Sequence, residues 1–277
     1  MCFKRLVRYE LGGQTHFGDL IATEGQTYVV ERLEGDIASG FTLTANGAVR
    51  VEKLLCPIAE TPAIICVGIN YKTHAKESSL PIPTYPVIFM KSPNALAGPG
   101  DNIPIHQSAQ SMLDYEGELT VITSRDAKNL AADYSLSDYV LGYTVGNDVS
   151  ARNFQLPEAS GGQFCYSKSF DGFAPIGPCI CSTSEIPNPQ ALTLTTRVND
   201  EVRQNSTTDD MIWTIKDILR HLSQGTTVKA GTVIMTGTPS GVGYFRKTLL
   251  NDGDVVEVEV KGIGTLLNVM RFENSSL

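Results

Sequence analysis

The sequence is short of the features that mark several protein classes. No apolar run approaches the roughly 20 residues of a membrane-spanning helix, and the mean hydropathy is only -0.06. Basic residues are in deficit, 22 Lys and Arg against 30 Asp and Glu, for a formal charge of -8. With no Lys/Arg cluster to offset it, that charge disfavours nucleic acid as a partner. The N-terminus, Met1 to Arg5, has neither an apolar signal core nor an Arg-rich transit character, so a cytoplasmic protein is expected. Cys2, Cys56, Cys66, Cys165, Cys179 and Cys181 lack zinc-ribbon spacing and read as reduced thiols. Cys179 and Cys181 would share one strand face, either as a redox or metal pair or as small core residues. Also missing are a Walker loop, a dinucleotide glycine fingerprint and the Gly-x-Ser-x-Gly elbow of serine hydrolases.

What is present suits a globular chain: 42% hydrophobic and 19% charged residues over 277 positions, enough for one large core or two units. Residues 1–56 read as a small β-rich unit with turns at Gly12-Gly13 and Glu34-Gly35. Pro57 and Pro62 interrupt the pattern, and Ile64-Ile65-Cys66-Val67 opens a second domain, 57–277, as a buried strand. A helix is expected after Ser206-Thr207-Thr208, with Asp209 and Asp210 in its first turn, an apolar stripe from Met211 through Ile215, Ile218, Leu219 and Leu222, and Gly225 at its end. A shorter helix is expected over 135–141, and strands over 232–236, 254–260 and 266–272. Strands outnumber helices, so the fold class is α+β and β-rich.

The run Asp114-Tyr115-Glu116-Gly117-Glu118 reads as part of one strand from Leu113 to Ile122. Residues two apart share a strand face, so Glu116 and Glu118, with Asp114, would project together. Like charges that close call for a cation, unless the face is merely solvated. Asp148 follows a second apolar run. Three oxygen donors without a His or Cys cluster suit Mg²⁺ or Mn²⁺, with Ca²⁺ also possible, better than zinc.

His74 and Glu77, three apart, would lie side by side on one helical turn, as a base dyad or as an exposed ion pair. The polar, proline-rich segment from His74 to Pro83 reads as a lid. Lys168 stands among aromatics, as an anion holder or a surface lysine. Arg152 and Gln155 follow Asp148 at distances that would supply a fork and a hydrogen bond. Gly237 and Thr238 begin a glycine-rich loop whose N–H groups would approach an anion, or which is a simple tight turn.

Taken in order, the blocks around Gly68-Ile69-Asn70-Tyr71 with His74 and Glu77, Asp114 to Leu119, Asn147 to Arg152, Lys168 to Asp171, and Thr236 to Gly243 resemble the fumarylacetoacetate hydrolase family over about residues 64–272. The resemblance implies a mixed β-sandwich roll with a small N-terminal β-rich domain, and a homodimer. It also implies a divalent ion on Glu116, Glu118 and Asp148, and a base dyad of His74 and Glu77 on a lid. Lys168, Arg152, Gln155 and Thr238 would hold the oxygens of a small 2-oxo acid. The implied activity is oxaloacetate tautomerisation or decarboxylation, or hydrolysis of an acylpyruvate, through an enolate. A non-catalytic 2-oxo-acid-binding protein of the same fold is the alternative. Asn153 departs from the family, where aspartate often follows the arginine.

Overall fold

The computed structural model describes residues 2–25 and 27–274. A large sheet of 12 strands dominates it. Four strands at its N-terminal end, β1 (Arg5–Leu11), β2 (Gln14–Glu24), β3 (Thr27–Asp36) and β4 (Gly40–Val51), form an antiparallel meander in chain order. The rest of its main path uses β5 (Ile64–Gly68), β6 (Val87–Lys91), β8 (Gly117–Thr123), β9 (Val140–Asn147), β10 (Ala174–Ser182) and β13 (Val233–Met235). The spatial order is β4-β3-β2-β1-β10-β9-β8-β13-β5-β6, so β1 pairs with β10 and the meander continues the sheet of the larger region.

A second sheet of five strands runs β12 (Glu201–Thr207), β11 (Thr193–Val198), β14 (Val255–Val260), β15 (Gly264–Phe272) and β7 (Asn102–Ile105). Strands β8 and β9 are buried along their whole length. Neither has a solvated face, and polar Glu118, Thr120 and Thr144 are buried with the apolar residues, whereas β14 alternates between buried and half-buried residues. This is the β-rich α+β architecture expected. Among the described residues no helix is long and apolar enough to cross a membrane.

Three local expectations need correction. The helix expected from Thr208 begins later: Thr208–Asp210 is one 3₁₀ turn, and α2 spans Ile215–Ser223. Its cap is Thr214, whose Oγ1 accepts from the Asp217 N–H while the Asp217 carboxylate accepts from the Thr214 N–H. The intervening residues are drawn onto Asn70, whose carbonyl accepts from Ile212 N at 2.7 Å and whose Oδ1 accepts from Trp213 N at 2.8 Å. The helix expected over 135–141 is a single 3₁₀ turn, Leu136–Asp138, because Val140 already enters β9. The strand expected from Leu113 to Ile122 is broken at Tyr115 and Glu116: Leu113–Asp114 pairs with Ser150–Ala151, and β8 starts at Gly117.

Candidate active site

The break before β8 builds the acidic centre. Glu116 N donates to Asn147 Oδ1 at 2.9 Å, Asp148 N donates to the Glu116 carbonyl at 2.8 Å, and Gly117 N donates to Gln204 Oε1 at 3.0 Å. Because β8 and β9 pair Gly117 with Asn147, Glu116 and Asp148 meet at their adjoining ends. Gly117 is required by close approach, since a Cβ there would lie 2.1 Å from Thr196 Oγ1. Ligand atoms of Glu116, Glu118 and Asp148 come within 4.8 Å of one another, and all three residues are buried. A solvated strand face is thereby ruled out.

Asp114 does not join them. Its carboxylate accepts from the N–H groups of Tyr115, Gly243 and Tyr244 and from Arg152 Nε at 2.8 Å. Arg152 also reaches Glu116 Oε1 at 2.6 Å and donates from Nη1 to Gln155 Oε1 at 2.8 Å. Lys168 Nζ lies 2.9 Å from Glu116 Oε2 and 2.7 Å from Asp148 Oδ2. Lys91, fully buried, holds the other Asp148 oxygen and donates to the Val149 carbonyl at 3.0 Å.

Four carboxylates thus face three cations, and the imbalance falls on Glu118. Burial raises its pKa well above the usual carboxylate value, the charges of Asp148 and Glu116 add to this, and the Gly237 N–H at 2.7 Å offsets only part. Burial also opposes ionisation of Glu116, but Lys168 and Arg152 outweigh it and hold that carboxyl below the usual range. Burial would lower the Lys168 pKa, yet Asp148 and Glu116 keep it raised. A buried oxygen-only donor set with one under-compensated carboxylate fits a hard divalent cation.

The dyad sits on α1 (Lys72–Ser78). His74 Nδ1 is 3.0 Å from Glu77 Oε2, and Glu77 Oε1 accepts from Gly241 N at 2.9 Å. These side chains are largely buried rather than an exposed pair, at 12% and 19% exposure. At the start of the helix Asp210 Oδ2 accepts from Thr73 N and Oγ1, a carboxylate placed where helix N–H groups lack partners. Just before it, Ile69 has φ 52°, a costly conformation for a β-branched residue. Asn70 fastens the segment by donating to the carbonyls of Thr236 and Trp213.

A cavity of about 250 Å³ is lined by His74, Glu116, Arg152, Gln155, Lys168 and Thr238, together with apolar side chains. Gly237 stays behind this wall, its N–H spent on Glu118. Thr238 Oγ1 donates to the Gly117 carbonyl at 2.9 Å and accepts from Gln204 Nε2 at 2.8 Å. Asn153 turns away from Arg152 and donates to the Ser108 carbonyl at 2.9 Å, leaving Asp114, Glu116 and Gln155 to orient the arginine. Cys179 and Cys181 are buried with Sγ atoms 3.7 Å apart, against the carbonyls of Ile263 and Gly262.

Sequence reasoning missed Lys91, Gln204 and Asn70, and the aromatic lining by Phe89, Phe164, Tyr244 and Phe245. Lys91 carried one signal: it ends the otherwise apolar strand Val87-Ile88-Phe89-Met90. Gln204 carried none, because it is one polar residue among several on the strand Glu201–Thr207.

The fumarylacetoacetate (FAA) hydrolase C-terminal family matches residues 63–271. A fumarylacetoacetate hydrolase domain-containing protein 2 homolog of Dictyostelium discoideum is 43% identical over 227 residues, covering 78% of this chain and 73% of that protein. An oxaloacetate tautomerase of Bacillus subtilis is 41% identical over 221 residues, covering 78% of this chain and 72% of that protein. The crystal structure of 2-hydroxyhepta-2,4-diene-1,7-dioate isomerase from Mycobacterium marinum aligns with a TM-score of 0.83 at 32% identity, covering 98% of this chain and all of that one.

Proposed function

Because the chain belongs to the fumarylacetoacetate hydrolase family, we propose that this family enzyme is divalent-metal-dependent and moves a proton at C3 of a small 2-oxo acid, a keto–enol tautomerisation. The observation that carries the reading is that a buried oxygen-donor set and a His–Glu dyad meet at one cavity, through Glu116 and His74. The similarity to an oxaloacetate tautomerase supports it.

In this reading Glu116, Glu118 and Asp148 hold Mg²⁺ or Mn²⁺, and a bound ion supplies Lewis acidity toward charge developing on the substrate C2 oxygen. In this reading Glu77 accepts a hydrogen bond from His74 Nδ1–H, which fixes the tautomer with Nε2 as the basic nitrogen. His74 removes the C3 proton while the C–H electron pair becomes the C2–C3 π bond. The C2=O π pair moves onto the oxygen, which takes a proton from water while protonated His74 returns its proton to water, so the enol forms with no net gain or loss of protons. Lys168 and Arg152 place positive charge beside the acid's oxygens, with Gln155 and Thr238 as neutral partners. The same reading divides the chain into an N-terminal unit, 1–56, and a catalytic domain, 57–277. It is supported by the family match over 63–271 and by a site that begins only at Val67.

The test is keto–enol exchange of 2-oxo acids by metal-stripped and Mg²⁺-reloaded protein, after subtraction of the rate due to free Mg²⁺. Exchange should vanish on stripping and return on loading. Full activity in the stripped protein would overturn the metal assignment, and acylpyruvate hydrolysis faster than any exchange would move the reading to C–C cleavage.

A further inference from the structure

Gln204 belongs to β12 of the five-stranded sheet, is 1% exposed, and reaches from that sheet to the residues beside the acidic centre. Its Oε1 accepts from Gly117 N at 3.0 Å, and its Nε2 donates to the Pro239 carbonyl at 2.9 Å and to Thr238 Oγ1 at 2.8 Å. A backbone N–H can only donate and a backbone carbonyl can only accept, so Gly117 and Pro239 together leave the amide one orientation. Thr238 Oγ1 must then accept from Gln204, and the single hydrogen of its hydroxyl goes to the Gly117 carbonyl at 2.9 Å. The three residues close a ring in which backbone groups fix the direction of every hydrogen bond.

Gly117 stands between Glu116 and Glu118. Close approach to Thr196 demands glycine there, and glycine is also the freest joint that backbone can have. The ring holds both its N–H and its carbonyl, which limits how far the two glutamates can diverge. Thr238 lines the cavity, but its hydroxyl has no hydrogen left for a ligand and offers an anionic oxygen only a lone pair. The Thr238 main-chain N–H has no acceptor among the described residues and remains able to donate.

Resting on the metal-dependent reading of this site, we propose that Gln204 is its positioning residue. Through Gly117 it sets the spread of Glu116 and Glu118 around a divalent ion. Through Thr238 it reserves the hydroxyl for Gly117, so that a substrate's anionic oxygens meet the Thr238 main-chain N–H and not the side chain. Gln204 does all this from behind the cavity wall, which it does not itself line.

Calorimetric Mg²⁺ and oxalate affinities of the full chain test both halves. Gln204→Met, which keeps the length of the side chain and loses its hydrogen bonds, should weaken Mg²⁺ binding about tenfold. Thr238→Val, which removes the hydroxyl and keeps the main-chain N–H, should weaken it to a similar degree. The double variant should be no worse than the poorer single one, because a ring opened once is open. Thr238→Ser restores the hydroxyl and should bind Mg²⁺ as the unmodified protein does. With Mg²⁺ saturating, oxalate should bind Thr238→Val as tightly as the unmodified protein. A lowered urea midpoint with intact Mg²⁺ affinity in folded Gln204→Met would mean a purely structural role and overturn the proposal, as would losses of Mg²⁺ affinity that add in the double variant. Oxalate weakened about tenfold in Mg²⁺-saturated Thr238→Val would make the hydroxyl a direct donor and overturn the second half. Should Gln204→Met not fold, Thr238→Val against Thr238→Ser carries the Mg²⁺ test. If the unmodified protein binds no divalent ion, the metal reading falls separately, and urea stabilities of the same cycle decide for the ring: coupled losses uphold it and additive losses overturn it.

Discussion

The two ends of the large sheet differ in one respect. From β4 to β1 each strand pairs with its neighbour in sequence, whereas at the other end the neighbour pairs β10-β9-β8 and β5-β6 are joined through β13, which comes from a distant part of the chain. Hairpin-connected strands bring together residues that are already close in the chain. Strands from distant segments bring strangers together, and there the chemistry collects: Lys91 meets Asp148 across 57 positions, and Gly237 meets Glu118 across 119. The meander, by comparison, supplies a core of Leu6, Val7, Tyr9 and Val30 and none of the cavity's lining. Ligand sites in sheets commonly lie where chain order is broken, because only there do strand ends present groups from several segments.

The contrast can be tested by damaging each region in turn. His74→Ala should cost about 10²–10⁴-fold in kcat for tautomerisation with metal binding retained, since it removes only the base. Exchange kinetics beside a Mg²⁺ titration check this, and equal losses of both would make His74 a structural residue. Lys91→Met comes next, at about 4 kcal/mol of stability, because it strips one partner from a buried carboxylate. Urea unfolding measures it, and a near-neutral result would mean that Lys168 alone compensates Asp148.

In the meander, Leu6→Ala, at a fully buried position, should cost about 3 kcal/mol while leaving kcat of the folded protein unchanged. A fall in kcat as large as in stability would erase the distinction between the regions. The smallest effect concerns pH. Burial pushes the Cys66 thiol in β5 well above its usual value of 9.0. The unfolded chain therefore releases this proton first, and the stability contribution, complete below pH 9, is lost as pH rises beyond it. The loss is about 1 kcal/mol between pH 9 and 10. Urea midpoints at the two values should show a smaller fall in Cys66→Ala than in the unmodified protein.

How far each feature was legible follows the same division. The Glu-x-Glu spacing of Glu116 and Glu118 and the three-residue spacing of His74 and Glu77 are local, and both pairs converge. Asp114 has the same spacing as the glutamates but leaves them, because the backbone breaks at Tyr115 and its oxygens are claimed by Gly243, Tyr244 and Arg152. The helix after Thr208 was misplaced for a like reason. Its propensity was real, yet hydrogen bonds from Ile212 and Trp213 to Asn70, about 140 positions away, outweigh the local preference.

By itself the sequence determined the strands near 232–236, 254–260 and 266–272, the convergence of Glu116 with Glu118 and of His74 with Glu77, and the family to which the ordered blocks point. These depend on periodicity and spacing over a few residues, where backbone geometry leaves little choice. Only the tertiary structure decided that Lys91 and Lys168 hold opposite oxygens of Asp148, that Glu118 is left without a cation of its own, and that Phe89, Phe164, Tyr244 and Phe245 line one cavity. The physical reason is that charge compensation and cavity shape are set by distances in space. The strand order that sets those distances comes from pairing distant segments, and no short window of sequence contains it.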